Sequence, residues 1–236
     1  MTNHRFSAVK ALTLDLDDTL WPVWPAIQRA EHELHGWLAQ HAGATARRFD
    51  VAALRGLREA VAADHPQWRH DFTRIRRESL VRALALAGDD AALADPAFEV
   101  FHAARNRVEL YPDARPALEA LAGRWPIVAL TNGNADLHSI GLAGHFVATV
   151  CAREFGVGKP DARIFHEACR RLDAAPCEVL HVGDDWALDI VGAHGAGLRS
   201  AWVRRHGEAA MPAGAPRADC VVRDLNELVS TLAGKA

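Results

Sequence analysis

The sequence predicts an α/β protein: a parallel sheet of about five strands with helices on both faces, and an all-helical segment inserted after the first strand. Three observations carry this prediction. Apolar runs of strand length recur along the chain, and each stops abruptly in polar residues. Stretches with helical spacing lie between these runs, which is the alternation that builds a parallel sheet. Between residues 23 and 107 the alternation gives way to helical spacing alone.

The first run is Ala8 to Asp15, mostly apolar and ending in acids, which reads as a buried strand with carboxylates at its C-terminal edge. In the inserted segment Ile27, Ala30, Leu34, Trp37 and Leu38 keep helical spacing, as do Phe72, Ile75, Leu80 and Leu84. Pro22, Pro25, Pro66, Pro96 and Pro112 punctuate it. A helix is predicted over 114–122 behind a possible Asp113 cap, and the strand beginning at Pro126 ends in Thr131, Asn132 and Gly133. The run Phe146 to Cys151 leads to Arg153 and Glu154; a helix follows over 162–172, after Pro160 and Asp161. The run from Glu178 ends in Gly183, Asp184 and Asp185. The expected organisation is a core of residues 1–22 and 108–236 and a helical cap of 23–107, which would close over the strand ends.

Composition narrows the function classes. Of 236 residues about half are apolar and a quarter charged, with a net charge of −3, so neither disorder, a nucleic-acid footprint nor a membrane-surface patch is indicated. The N-terminal residues lack an export-signal pattern, and no apolar run reaches the roughly 18 residues a membrane span needs. Cys151, Cys169, Cys177 and Cys220 show no metal-ligand spacing, which suits reduced structural thiols. A cytoplasmic protein with a small-molecule partner is expected, and the oligomeric state is not legible: Trp37 and Trp68 suit a dimer contact or an internal core equally.

In parallel sheets ligands gather at the carboxyl ends of the strands, where these polar residues converge. Asp15 and Asp17 lie two residues apart where the chain leaves its first strand. Carboxylates that close repel, so the pair needs a shared proton or a hard cation such as Mg²⁺, to which Asp184 could add an oxygen.

The ordered set Asp15-Leu-Asp17-Asp18-Thr19-Leu20, Thr131-Asn132-Gly133, Lys159-Pro160 and Gly183-Asp184-Asp185 with Asp189 resembles the four motifs of the haloacid dehalogenase superfamily. The resemblance covers residues 12–21 and roughly 109–199, and it implies a three-layer Rossmann-like core with a helical cap of the first type. It further implies a phosphatase in which Asp15 attacks phosphorus and Asp17 serves as general acid and base. Thr131 and the backbone around Asn132 and Gly133 would hold phosphoryl oxygens, and Lys159 would offset developing charge. Mg²⁺ would be held by Asp15, the Asp17 carbonyl and Asp184, with Asp189 and, less directly, Asp185 behind them. Superfamily members that cleave carbon–halogen bonds lack an acid two residues after the nucleophile, so Asp17 favours phosphate. The competing readings are a metal-independent 2-haloacid dehalogenase, a phosphotransferase and a non-catalytic phospholigand binder.

The remaining candidates have plainer readings. Thr19 suits a turn hydroxyl, and His181, within an apolar run, suits a packed core imidazole. His32 and His35 lack the HExxH spacing, and Arg74, Arg76 and Arg77 suit a charged outer helix face. Trp21 and Trp24 would flank the site entrance, stack on a ring or equally pin the cap hinge. Gly156 to Lys159 falls short of a nucleotide-binding loop because Arg153 stands where a glycine is required.

Overall fold

The computed structural model describes residues 6–205, 214 and 216–234. Residues 1–5, on which part of the N-terminal reading rests, lie outside them. The chain forms two compact units: residues 1–22, 110–133 and 141–236, and residues 23–109 and 134–140. The sequence reading grouped 134–140 with the first unit. Elements in chain order are β1 (Ala11–Leu14), α1 (Val23–His41), α2 (Gly43–Arg48), α3 (Val51–Asp64), α4 (Phe72–Ala87), α5 (Ala94–Arg105), α6 (Ala114–Ala122), β2 (Ile127–Thr131), α7 (Leu137–Ile140), β3 (Ala148–Cys151), α8 (Ala152–Phe155), α9 (Ala162–Arg171), β4 (Val179–Gly183), α10 (Gly192–Gly195), β5 (Arg199–Val203), β6 (Cys220–Val222) and α11 (Leu225–Leu232).

The first unit is built on a six-stranded sheet in the order β3-β2-β1-β4-β5-β6, every pair parallel. Its central strands bury both faces, which is why β1, β2 and β4 are almost wholly apolar rather than alternating. On one face Ala11, Val128, Leu130 and Val150 pack against Ile164, Phe165 and Ala168 of α9 and Ala193 of α10. Leu12, Leu14 and Ala129 point the other way by the pleat and are equally buried. Each large side chain removed from water contributes roughly 1.5–3 kcal/mol. The strand order reverses beside β1, so β1, β2 and β4 all end at the switch point where an α/β sheet opens to ligand. The sixth strand, β6, exceeds the expected number; at three residues, it carries little sequence signal.

Asp113 does not cap α6 through its side chain. Both of its oxygens pair with the Arg205 guanidinium at 2.9 Å, and Oδ2 also accepts the Leu225 amide at 2.8 Å. A charged bidentate partner outcompetes a neutral cap. Asp161 caps α9, accepting the Arg163 amide at 3.0 Å.

The second unit is helical, with Ala30, Leu34 and Leu38 of α1 packed on Leu80 and Leu84 of α4 and on Phe98 and Phe101 of α5. Asp50 and Asp71 cap α3 and α4 through the amides of Ala53 and Arg74. Gly88, at φ +81°, ends α4 in a left-handed conformation that a side chain would strain. Asn134 is held in this unit by His102, Arg105 and Thr73.

Arg76 departs from the outer-surface reading. It is buried, lies 3.8 Å from the buried carboxylate of Glu31, and stacks 3.5 Å from the Phe101 ring centroid. Arg55 pairs with the same carboxylate at 2.6 Å and Arg58 lies 3.7 Å away. Burial and the neighbouring Arg58 push the Arg76 guanidinium down to about 9. Helical spacing placed Arg76 correctly on α4, but only the buried glutamate of α1 explains why a charge turns inward. Arg77 reaches Glu99 at 2.9 Å, and Arg74 lies over the Trp68 ring.

Among the described residues no helix is long and apolar enough to cross a membrane, and all four cysteines are free.

Candidate active site

Asp15 is the first residue beyond β1, its amide bonded to the Val182 carbonyl of β4 at 2.9 Å. The chain then leaves the sheet in a tight loop. Asp18 sits at φ +59° with its amide on the Trp21 carbonyl, a left-handed turn position that aspartate tolerates better than most residues. The buried Trp21 indole donates to Asp17 Oδ1 at 2.8 Å. Trp21 thereby fixes the rotamer of the proposed acid, a role more specific than lining an entrance. Trp24, by contrast, is about half exposed, with the Arg55 guanidinium 4.9 Å from its ring centroid.

Lys159 brings the motifs together. Its buried ammonium donates to Asp15 Oδ1 and, at 2.6 Å, to Asp189 Oδ1. Its backbone is gripped by Asn132, whose Oδ1 accepts the Lys159 amide at 2.7 Å and whose Nδ2 donates to the Lys159 carbonyl at 2.9 Å. The fit is close enough that a Cβ on Gly158 would stand 2.6 Å from Asn132 Oδ1. Thr131, buried at the end of β2, accepts the Gly133 amide on its Oγ1 at 2.9 Å, which shapes the turn after the strand.

Asp184 follows β4, and Thr19 Oγ1 donates to its Oδ1 at 3.0 Å while lying 3.5 Å from Asp15 Oδ2. Thr19 therefore links the first and last motifs directly rather than merely shaping a turn. Asp185 turns its carboxylate to the Ala187 and Leu188 amides, capping the π-helical turn Trp186–Val191, while its own amide donates to Asp189 Oδ2 at 3.0 Å. Gly183 is required beside Asp189: a Cβ there would lie 2.3 Å from the Asp189 carboxyl carbon.

His181 is the residue that sequence reasoning left in the core. It is fully buried, with Nε2 at 3.0 Å from Asp189 Oδ1 and Nδ1 at 2.8 Å from Thr13 Oγ1. Burial and the nearby ammonium hold its pKa below the ordinary value, so the imidazole is neutral. Asp189 accepts only, which assigns the proton to Nε2 and makes Nδ1 the acceptor for Thr13. A histidine in an otherwise apolar strand, two residues before Gly183-Asp184, was the available signal.

Charge in the cluster is unbalanced. Carboxylate oxygens of Asp15, Asp184 and Asp189 lie within 4.8 Å of one another, with one ammonium among them. Burial, with the charges of Asp189 and Asp18 beside it, pushes Asp184 up to about 7. Burial likewise raises Asp15 well above the usual range, Lys159 only partly opposing it. Burial alone would raise Asp189 too, but Lys159 and His181 outweigh it and hold Asp189 below that range. Two crowded, under-compensated carboxylates suit a hard divalent cation. Asp15 and Asp184 suit it best, because both Asp189 oxygens already serve Lys159, His181 and the Asp185 amide.

Comparison with known proteins places the chain in a family. Residues 9–197 match the family model described as haloacid dehalogenase-like hydrolase. The chain is 36% identical over 200 residues to the 5-amino-6-(5-phospho-D-ribitylamino)uracil phosphatase YigB of Escherichia coli, covering 83% of this chain and 84% of the relative. It is 32% identical to a phosphoserine phosphatase of Thermus thermophilus, over 93% and 98% of the two chains. Among solved structures, a 2-haloacid dehalogenase of Pseudomonas syringae superposes with a TM-score of 0.88 at 39% identity, over 97% of this chain and 100% of the other.

Proposed function

The chain belongs to the haloacid dehalogenase-like hydrolases, and from that premise we propose that it is a magnesium-dependent phosphatase acting on small phosphate monoesters through an aspartyl-phosphate on Asp15. The observation that carries the reading is the pairing of two acids with distinct surroundings. Asp15 is buried against Lys159, whereas Asp17, two residues on, is only partly buried and is oriented by Trp21.

In the first step a carboxylate oxygen of Asp15 forms a bond to phosphorus as the bond to the leaving oxygen breaks, and Asp17 gives its proton to that oxygen. In the second step Asp17 takes a proton from water, the water oxygen bonds to phosphorus, and the bond to Asp15 breaks to release phosphate. Lys159 stands against the attacking carboxylate and offsets charge on the phosphoryl group as the bond forms. Asp189 and His181 keep the ammonium pointed there. Thr131 and the turn at Asn132 and Gly133 bind phosphoryl oxygens. Mg²⁺, held by Asp15, Asp184 and the Asp17 carbonyl, would supply charge neutralisation and orient the phosphoryl group.

The solved relative described as a 2-haloacid dehalogenase favours a second reading, displacement of halide by Asp15 without metal. A halide leaving group needs no proton, so that chemistry gives Asp17 and the Asp184 carboxylate no task. One assay separates the two: phosphate release from an aryl phosphate and halide release from 2-chloropropionate, each with Mg²⁺ or with chelator. The proposal expects phosphate only, and only with metal. A panel led by 5-amino-6-(5-phospho-D-ribitylamino)uracil and phosphoserine, the substrates named for two relatives, then addresses specificity.

A further inference from the structure

Strand β5 and the residues just after it meet the site through its backbone. Trp202, on β5, donates its indole N–H to the Asp184 carbonyl at 2.7 Å. Arg205, three residues on, donates to the Thr19 carbonyl from Nε at 3.1 Å and from Nη2 at 2.7 Å. Thr19 Oγ1 closes the circuit on the Asp184 side chain at 3.0 Å. The backbone on each side of the Asp15–Asp184 pair is thus tied to β5 and the residues directly after it. We propose that Trp202 and Arg205 form a clamp that sets the separation of the Asp15 loop from Asp184, making them positioning residues for the reaction assigned above, on which this inference rests.

The clamp is itself held rigidly. The remaining faces of the Arg205 guanidinium are taken by both Asp113 oxygens at 2.9 Å and by the Tyr111 ring, 3.9 Å from its centroid. Asp113 is anchored in turn by the Leu225 amide, and the neighbouring Arg204 amide bonds the Val222 carbonyl of β6 at 2.8 Å. Tyr111 also donates its amide to the Leu20 carbonyl at 2.9 Å, so the same knot meets the loop twice. A guanidinium is suited to this task because its planar fork can hold a carboxylate on one edge and a carbonyl on another, in fixed mutual geometry. A lysine ammonium offers one point of charge and no fork. Both side chains hold main-chain carbonyls, so their effect would pass through the Thr19 and Asp184 backbones.

Arg205→Met, Arg205→Lys and Trp202→Phe test the clamp, with kcat and KM for an aryl phosphate and the Mg²⁺-induced rise in thermal midpoint measured for each and for the wild type. Displacement of the loop by a fraction of an ångström predicts a kcat loss of about 10- to 100-fold in Arg205→Met, with KM moved less than about threefold and partial recovery in Arg205→Lys. The Mg²⁺ concentration giving half the thermal rise should increase about tenfold in Arg205→Met and Trp202→Phe. Trp202→Phe removes the N–H and trims the buried ring while keeping an aromatic side chain there, so it carries the test even if Arg205→Met does not fold. Wild-type kcat and metal response in folded Trp202→Phe would overturn the clamp while leaving the phosphatase reading intact. A wild type that releases no phosphate would overturn that reading and this inference together.

Discussion

Two buried ion clusters of opposite composition occupy the two units. In the α/β unit one ammonium, Lys159, serves the carboxylates of Asp15 and Asp189 through direct hydrogen bonds, with the oxygens of Asp184 close by. In the helical unit one carboxylate, Glu31, meets three guanidiniums, but only Arg55 is within hydrogen-bond distance, at 2.6 Å; Arg58 and Arg76 stand 3.7 and 3.8 Å away. The acid-rich cluster is tight and carries excess negative charge that a cation would relieve. The arginine-rich cluster is looser, and Arg55 and Arg58 reach solvent, so water screens its excess positive charge. Burial of charge alone therefore does not separate the two clusters; the tightness of their geometry and the sign of the excess charge do.

Substitutions can break this contrast. The largest effect belongs to Asp15→Asn, which should cost phosphate release about 10⁴-fold or more by removing the nucleophile, as a steady-state assay would show. Lys159→Met should lower kcat about 10²- to 10³-fold, and the same variant should unfold at lower temperature because Asp15 and Asp189 lose their counterion. Glu31→Gln should give the reverse profile: a stability loss of about 2–3 kcal/mol in denaturant titration, below the cost of a fully buried pair because Arg55 and Arg58 are hydrated, with kcat within about threefold of wild type. If Glu31→Gln instead lowered kcat as far as Lys159→Met, the contrast between the clusters would fail.

A smaller effect concerns acid stability. Burial opposes ionisation of Asp113, but the Arg205 guanidinium and the Leu225 amide outweigh it and hold the carboxyl below its usual value. A depressed carboxyl pKa contributes stability that is complete above the unfolded value of roughly 3.9 and is lost as pH falls through the folded value. Thermal midpoints of the wild type and Asp113→Asn should therefore differ at neutral pH and converge in acid. The smallest change expected is in Arg58→Gln, within about 1 kcal/mol of wild type, since its contact with Glu31 is long and solvated.

The parts of this account legible in the sequence share a physical origin. Strands β1, β2 and β4 were readable because burial on both faces leaves near-continuous apolar runs, and Asp15, Thr131 and Asp184 were readable because each stands where such a run stops. Lys159 was visible only through its motif, since nothing local reveals that Asn132, 27 positions away, brackets its backbone. His181 reads as core and is buried there; its bond to Asp189 is not legible, because its partners, Thr13 and Asp189, lie on other elements. Arg76 and Asp113 were misplaced for the same reason: their counterions, Glu31 and Arg205, come from distant parts of the chain. Periodicity reports which face is buried, whereas the pairing of buried charges is a tertiary property.

The central claim is that Asp15 carries the phosphoryl group, and it is tested most directly by stopping turnover of an aryl phosphate in acid and locating the covalent adduct by peptide mass spectrometry. The account predicts a phosphoryl group on the peptide containing Asp15, formed only with Mg²⁺ and absent in Asp15→Asn. Turnover by the wild type with no phosphorylated peptide, or an ester on Asp15 formed from 2-chloropropionate without metal, would contradict it.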